Sequence, residues 1–152
     1  MDIYARIKEL GLELPEPPPK GGVYKPVKQV GNLLYVSGQG ATIKGVPVVI
    51  GKVGAERTLE EGQQAARICV MNALSTLHNY LGDLNKIKSL VKTLGFVASA
   101  SNFNMQPKVI DGASLLLVDI FGTENGIGAR SAIGTNELPG NITVEIEFIF
   151  EI

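Results

Sequence analysis

The stretch from Thr58 to Gly82 constrains this chain more than any other, because its punctuation and periodicity admit one structure, a long amphipathic helix. Thr58-Leu59-Glu60-Glu61 is a Ser/Thr-x-x-Glu capping box, in which the hydroxyl and the carboxylate each satisfy a free backbone N–H of the first turn. Gly82 supplies the residue that closes the last turn. Between them Ala66, Val70, Ala73, Leu74, Leu77 and Leu81 recur on one face. A helix with such a stripe needs an apolar surface to lie on, and the segments around it read as the strands of that surface.

Ile3, Ile7 and Leu10 are spaced for a short helix over 2–10 that Gly11 ends. Pro15, Pro17, Pro18 and Pro19, followed by Gly21 and Gly22, exclude any regular element and make 12–22 a stiff extended linker. Residues 1–22 are thus expected to be an N-terminal helix and linker ahead of one domain, 23–152. Strands over 23–30 and 33–37 flank Gly31-Asn32, a dipeptide that supplies the positive-φ residues of a two-residue hairpin turn. Residues 46–50 form a further short strand, which Pro47 confines to an edge. A strand rich in Val, Leu and Phe spans 87–98 and is expected to be covered on both faces. A second helix runs over 106–121 with Pro107 in its first turn and Ile110, Ala113, Leu117 and Ile120 on one face. Strands 129–137 and 142–151 finish the chain. This order implies an α+β sandwich, with two helices on one face of a single sheet.

With 152 residues there is room for one domain with a core. The net charge of -1 and the scattered basic residues argue against a nucleic-acid partner. No apolar run approaches the ~20 residues of a membrane span, and the N-terminus has no apolar targeting core, so a soluble, cytoplasmic protein is expected. A hydrophobic share of 45% favours some apolar surface buried between subunits. Cys69 cannot form an internal disulfide, and Cys69 and His78 are alone of their kinds, on one helix and without zinc spacing. They read as a packing residue and an ordinary helix-face residue. There is no nucleophile elbow, no phosphate-binding loop and no complete dinucleotide fingerprint; Gly126 to Ser131 is the nearest miss. No metal and no cofactor is expected.

What chemistry remains is concentrated in 129–147. Arg130 is the only arginine after Arg67 and precedes a small-residue run that is uncharged until Glu137. It suits a substrate carboxylate held through two parallel hydrogen bonds. It equally suits a surface pair with Glu124 or Asp119, and the residues alone leave both readings open. Glu145 lies in the alternating run where Val144, Ile146, Phe148 and Phe150 take one face and Thr143, Glu147 and Glu151 share the face of Glu145. By alternation alone Glu145 belongs to a solvated face. Leu138-Pro139-Gly140-Asn141 between them reverses the chain.

Three stretches together resemble the Rid family, also called YjgF-like and often labelled endoribonuclease L-PSP or translation inhibitor. They are Gly22-Val-Tyr-Lys-Pro-Val-Lys-Gln-Val-Gly-Asn-Leu-Leu-Tyr-Val-Ser-Gly-Gln39, the helix with Gln64-Ala-Ala66, and Ala129-Arg-Ser with Leu138-Pro-Gly-Asn-Ile-Thr-Val-Glu-Ile-Glu147. The resemblance covers residues 20–152. It implies a chorismate-mutase-like fold, a homotrimer whose strands form a barrel, and ligand clefts between subunits. It further implies hydrolysis of reactive 2-enamine or 2-imine carboxylates, such as 2-aminoacrylate, to 2-keto acids and ammonia.

By position, Arg130 would clamp the substrate carboxylate, Glu145 would orient or activate water, and Tyr24 would line and hydrogen-bond the cleft. Ser37 and Gly38 fall on the family's backbone binding turn. Ala132 stands where many relatives carry cysteine, so only its backbone could serve and a thiol step is absent. Asp111 stands where relatives usually offer asparagine, and since a carboxylate would repel an anionic substrate, it is expected to face elsewhere. A non-catalytic sensor or carrier of small carboxylates would use the same clamp, whereas the ribonuclease label fits poorly with the net charge and the lack of a histidine pair.

If 129–137 and 142–151 formed a simple hairpin, Arg130 would stand opposite about Ile149, an offset of about 13 Å from Glu145 along the strand. The family fold, which places another strand between these two, separates them further. Arg130 and Glu145 of one pocket are therefore expected to come from different subunits.

Overall fold

The computed structural model describes residues 2–152. Its elements are α1 (Ile3–Glu9), β1 (Val27–Val30), β2 (Leu33–Gly40), β3 (Thr42–Ile43), β4 (Val46–Pro47), α2 (Leu59–Leu81), β5 (Ser89–Ala98), α3 (Gln106–Gly126), β6 (Ala129–Thr135) and β7 (Val144–Glu151). Short 3-10 turns at Leu84–Lys86 and Pro139–Asn141 complete it. The main sheet runs in the order β1-β2-β7-β5-β6, and β3 and β4 make a separate two-stranded ribbon.

Most boundaries follow the sequence, and the exceptions have local causes. The capping box of α2 is present in full, and Gly82 closes the helix in the left-handed conformation. The second helix breaks at Gly122 (φ 81, ψ 165), next to the expected end at Phe121, before a further turn carries it to Gly126. β1 begins at Val27, four residues later than expected: Tyr24 Oη accepts the Gly21 N–H at 3.0 Å and Val23 is fully exposed, so 21–24 form a turn. Of the Gly31-Asn32 pair only Gly31 has positive φ. In the ribbon, Lys44 (φ 51) and Gly45 (φ 79) make the tight turn, and pairing stops at Pro47, which has no N–H to continue it.

The last two sheet strands of the chain are not neighbours. β5 lies between them, parallel to β6 and antiparallel to β7. A parallel pair cannot be joined by a tight turn, and α3 is the crossover that connects β5 to β6.

α2 and α3 lie on the same face of the sheet. The buried stripe of α2, including Ala66, Cys69, Val70, Ala73, Leu74 and Leu77, packs with Leu34, Val36, Val144, Ile146, Phe148 and Phe150. Each of the fully buried large side chains, such as Phe148 at 1% exposure, contributes roughly 2–3 kcal/mol of burial. The helices approach closely because Gly112 of α3 sits on the Gln63 backbone, where a β-carbon would collide with the Gln63 carbonyl. Gly95 of β5 makes similar room for Ile110. α1 adds Ile3 and Ile7 to this core, and Tyr4 Oη joins it to the end of α2 through His78 Nδ1 at 2.9 Å and the Leu84 N–H at 2.8 Å.

Among the described residues no helix covers the opposite face of the sheet. Tyr35, Leu94, Phe96, Ile133 and Ile149 stand there, partly or largely exposed, together with Glu145 and Glu147. Among the described residues no helix is long and apolar enough to cross a membrane.

Candidate active site

Two cavities hold most of the candidate residues, one with Glu145, Tyr24 and Gly38 and the other with Arg130. In β7, Glu145 pairs with Gly40 of β2 and Phe96 of β5. The β2–β7 register shifts between Val36 and Gln39, so Ser37-Gly38 bulges beside Glu145. The carboxylate occupies the space that a side chain at Gly38 would need: a β-carbon there would lie 2.8 Å from Glu145 Oε2. The chain just past the bulge is tied down by Asn72, whose buried amide donates to the carbonyls of Gly40 (3.0 Å) and Thr42 (2.9 Å).

Glu145 is half-buried, and this burial raises its pKa above the ordinary carboxylate value, with Glu147 on the same face adding repulsion. No ion pair among the described residues includes it. Its cavity, about 430 Å³, is also lined by Tyr24, Gly38 and Gln39, by Pro139-Gly140, and by Pro18 to Gly21 of the linker. Tyr24 therefore reaches the Glu145 cavity. Ser37 is committed elsewhere: its hydroxyl donates to the Lys25 carbonyl at 2.7 Å and its N–H to Pro26, holding the segment that carries Tyr24.

Arg130 is the second residue of the exposed edge strand β6. It pairs with Thr93 of β5, and Thr93 pairs with Phe148 of β7, which is buried beneath the helices. Arg130 thus projects on the helix side, and Glu145, three residues from Phe148, projects on the open side. Two strand spacings and three residues of rise put their Cα atoms roughly 14 Å apart. Each sits in its own cavity, that of Arg130 being about 270 Å³ and lined by Thr93, Leu115, Val118 and Ile127 among others. Ala132 is on the face of Arg130, partly buried against the core.

The partner of Arg130 corrects the sequence reading. Asp111 does not face away: its Oδ1 accepts Arg130 Nη1 at 2.9 Å, and Ser114 Oγ accepts the same nitrogen at 3.1 Å. The cause is the crossover, since α3 packs along β6 and turns the Asp111–Ser114 step toward the arginine. Neither Glu124 nor Asp119 takes this role; the carbonyl of Asp119 instead accepts Arg6 Nε at 2.6 Å. The i, i+3 spacing of two polar residues flanking the apolar stripe of α3 was the available signal.

The lone cysteine and histidine stay outside both cavities. Cys69 is fully buried under β7, and burial pushes its thiol pKa well up, so it remains a protonated packing residue. No group of three His, Cys, Asp or Glu among the described residues could hold a metal ion.

Similarity to known proteins covers this whole arrangement. Residues 4–151 match the family described as "YjgF/chorismate_mutase-like, putative endoribonuclease". Protein TCP17 of Trypanosoma cruzi is 36% identical over 150 residues, which are 99% of this chain and 94% of that protein. A protein of unknown function from Agrobacterium tumefaciens is 44% identical with a TM-score of 0.90, over 99% of this chain and 93% of the other. A protein of Shewanella oneidensis named as a "putative endoribonuclease" is 33% identical with a TM-score of 0.95, over the full length of both. Because the match runs through both cavities and the sheet between them, this chain belongs to the YjgF-like, or Rid, family and has its chorismate-mutase-like fold.

Proposed function

We propose that this protein hydrolyses reactive 2-enamine or 2-imine carboxylates, such as 2-aminoacrylate, to 2-keto acids and ammonia, in clefts between the subunits of a homotrimer. The observation that carries the reading is that Arg130 and Glu145 open on opposite faces of one sheet, each in its own cavity. Neither cavity has both Arg130 and Glu145, and a neighbouring copy would supply the missing half. The helix-free face, with Leu94, Phe96 and Ile149, is the surface that such packing would cover.

The chemistry asks little of the protein. Arg130 holds the substrate carboxylate, and an enamine first tautomerises to the imine by moving a proton from nitrogen to its terminal carbon. A water, oriented by Glu145 of the neighbouring subunit, adds to the imine carbon and gives one proton to the nitrogen; the resulting hydroxyl then gives its proton to the same nitrogen, which leaves as ammonia as the carbonyl forms. A carboxylate with a raised pKa can take and return that proton nearer neutrality than an ordinary one. Positioning and proton transfer suffice because imines already hydrolyse in water.

The test is release of 2-keto acid and ammonia from freshly generated 2-aminoacrylate, compared among buffer, wild type and Arg130→Ala. Wild type is expected to exceed buffer, and Arg130→Ala to lose most of the excess. A wild type no faster than buffer that still binds 2-ketobutyrate would replace this reading with a carboxylate sensor or carrier, for which the ready-held Arg130 is sufficient.

A further inference from the structure

One buried polar atom at the wall of the Arg130 cavity has no hydrogen-bond partner among the described residues. Thr93 is the direct neighbour of Arg130 in the parallel β5–β6 register. It is 1% exposed and lines the cavity, and its Oγ1 has no hydrogen-bond partner among the described residues. Such a hydroxyl costs stability, which valine, of nearly the same shape, would not. Leu90, Leu115, Val118 and Ile127 give the cavity a largely apolar wall, against which a charge-assisted hydrogen bond to an anion is stronger than one made in open water.

The guanidinium beside it is half used. Nη1 donates to Asp111 and to Ser114, which accounts for both its hydrogens. The Nε–Nη2 edge, the pair of parallel donors that matches a carboxylate, makes no hydrogen bond to the described residues. Asp111 also places Oδ2 3.8 Å from Lys108 Nζ, so Lys108, Asp111 and Arg130 together carry a single net positive charge.

We propose that Thr93 is a further substrate-binding residue: its hydroxyl donates to the carboxylate that Arg130 holds by Nε and Nη2, in a subsite that favours aliphatic monocarboxylates over dicarboxylates. Thr93 completes the donor set, Asp111 and Ser114 fix the arginine's rotation, and the Asp111 charge together with the apolar wall disfavours a second anionic group. This rests on the carboxylate-clamp reading above and names the class of acid the clamp takes.

Calorimetric titration of the full chain with 2-ketobutyrate and with 2-ketoglutarate tests it without requiring turnover. Thr93→Val is expected to melt at or above the wild-type temperature and to bind 2-ketobutyrate at least about tenfold more weakly. Thr93→Ser, which keeps the hydroxyl, is expected to restore binding, and Thr93→Ala to behave as valine if valine packs poorly. Wild type is expected to bind 2-ketobutyrate more tightly than 2-ketoglutarate. Equal affinity of wild type and Thr93→Val, or tighter binding of the dicarboxylate, overturns the proposal. Thr93-dependent binding without release of keto acid from the imine would instead overturn the deaminase reading and leave the subsite standing.

Discussion

Gly38 and Glu145 touch across the β2–β7 bulge at a separation no other residue at position 38 would allow, with Glu145 Oε2 only 2.8 Å from where a β-carbon would be. The bulge, the Asn72 hydrogen bonds just past it and the missing side chain together hold one half-buried carboxylate at a cavity wall.

Gly38→Ala is therefore expected to displace the Glu145 carboxylate without blocking folding, since position 38 is not among the positive-φ glycines. Keto-acid release should fall at least about tenfold for a displacement of this kind, while the melting temperature moves by a few degrees at most. Parallel rate and melting measurements would show it, and an unchanged rate would mean the carboxylate has room to spare.

Glu145→Gln separates catalysis from stability. The folded-state pKa of Glu145 is raised by burial and then by Glu147, so the folded chain binds this proton more tightly than the unfolded chain does. Its contribution to stability is present below the unfolded pKa and is lost as pH rises through the raised folded value. The glutamine variant is thus expected to melt higher than wild type at pH 7, with the gap closing as pH drops below the ordinary carboxylate range. Its keto-acid release should fall by about 10²-fold or more. A gap that widens in acid would contradict this sign.

Asp111→Asn retains an oxygen for Arg130 Nη1 and removes a negative charge beside the clamp. Titration with 2-ketobutyrate should show tighter binding, by roughly three- to tenfold, with a larger gain for 2-ketoglutarate. Asp111→Ala, which also frees the guanidinium to rotate, should bind more weakly than Asp111→Asn. Identical affinities in the two variants would show that Asp111 acts by charge alone.

Gly112→Ala tests the helix contact that positions α3, and with it Asp111 and Ser114. A β-carbon there meets the Gln63 backbone, which cannot move aside as a side chain could. The expected loss is about 1–3 kcal/mol, read by denaturant or thermal unfolding.

The local elements of this protein were written in short-range pattern. Thr58, Glu61 and Gly82 mark the ends of α2, and the alternation from Val144 to Phe150 marks which residues of β7 share a face, because caps and periodicity depend on neighbours a few residues away. The Tyr24, Gly38 and Glu145 positions were legible through resemblance, and the structure brings all three to one cavity. Ser37 turned out to be spent on the Lys25 and Pro26 carbonyls, which no local pattern announces.

What the tertiary structure decided is which face meets which. Inserting β5 between β6 and β7, and running β6 parallel to it, placed Arg130 on the helix side and Glu145 on the open side. The same crossover laid α3 along β6 and brought Asp111 onto Arg130, against the expectation that like charge with the substrate would turn it away. Alternation assigns a strand two faces, but only the order and direction of its neighbours determine what each face sees, and these are set by contacts between residues far apart in the chain.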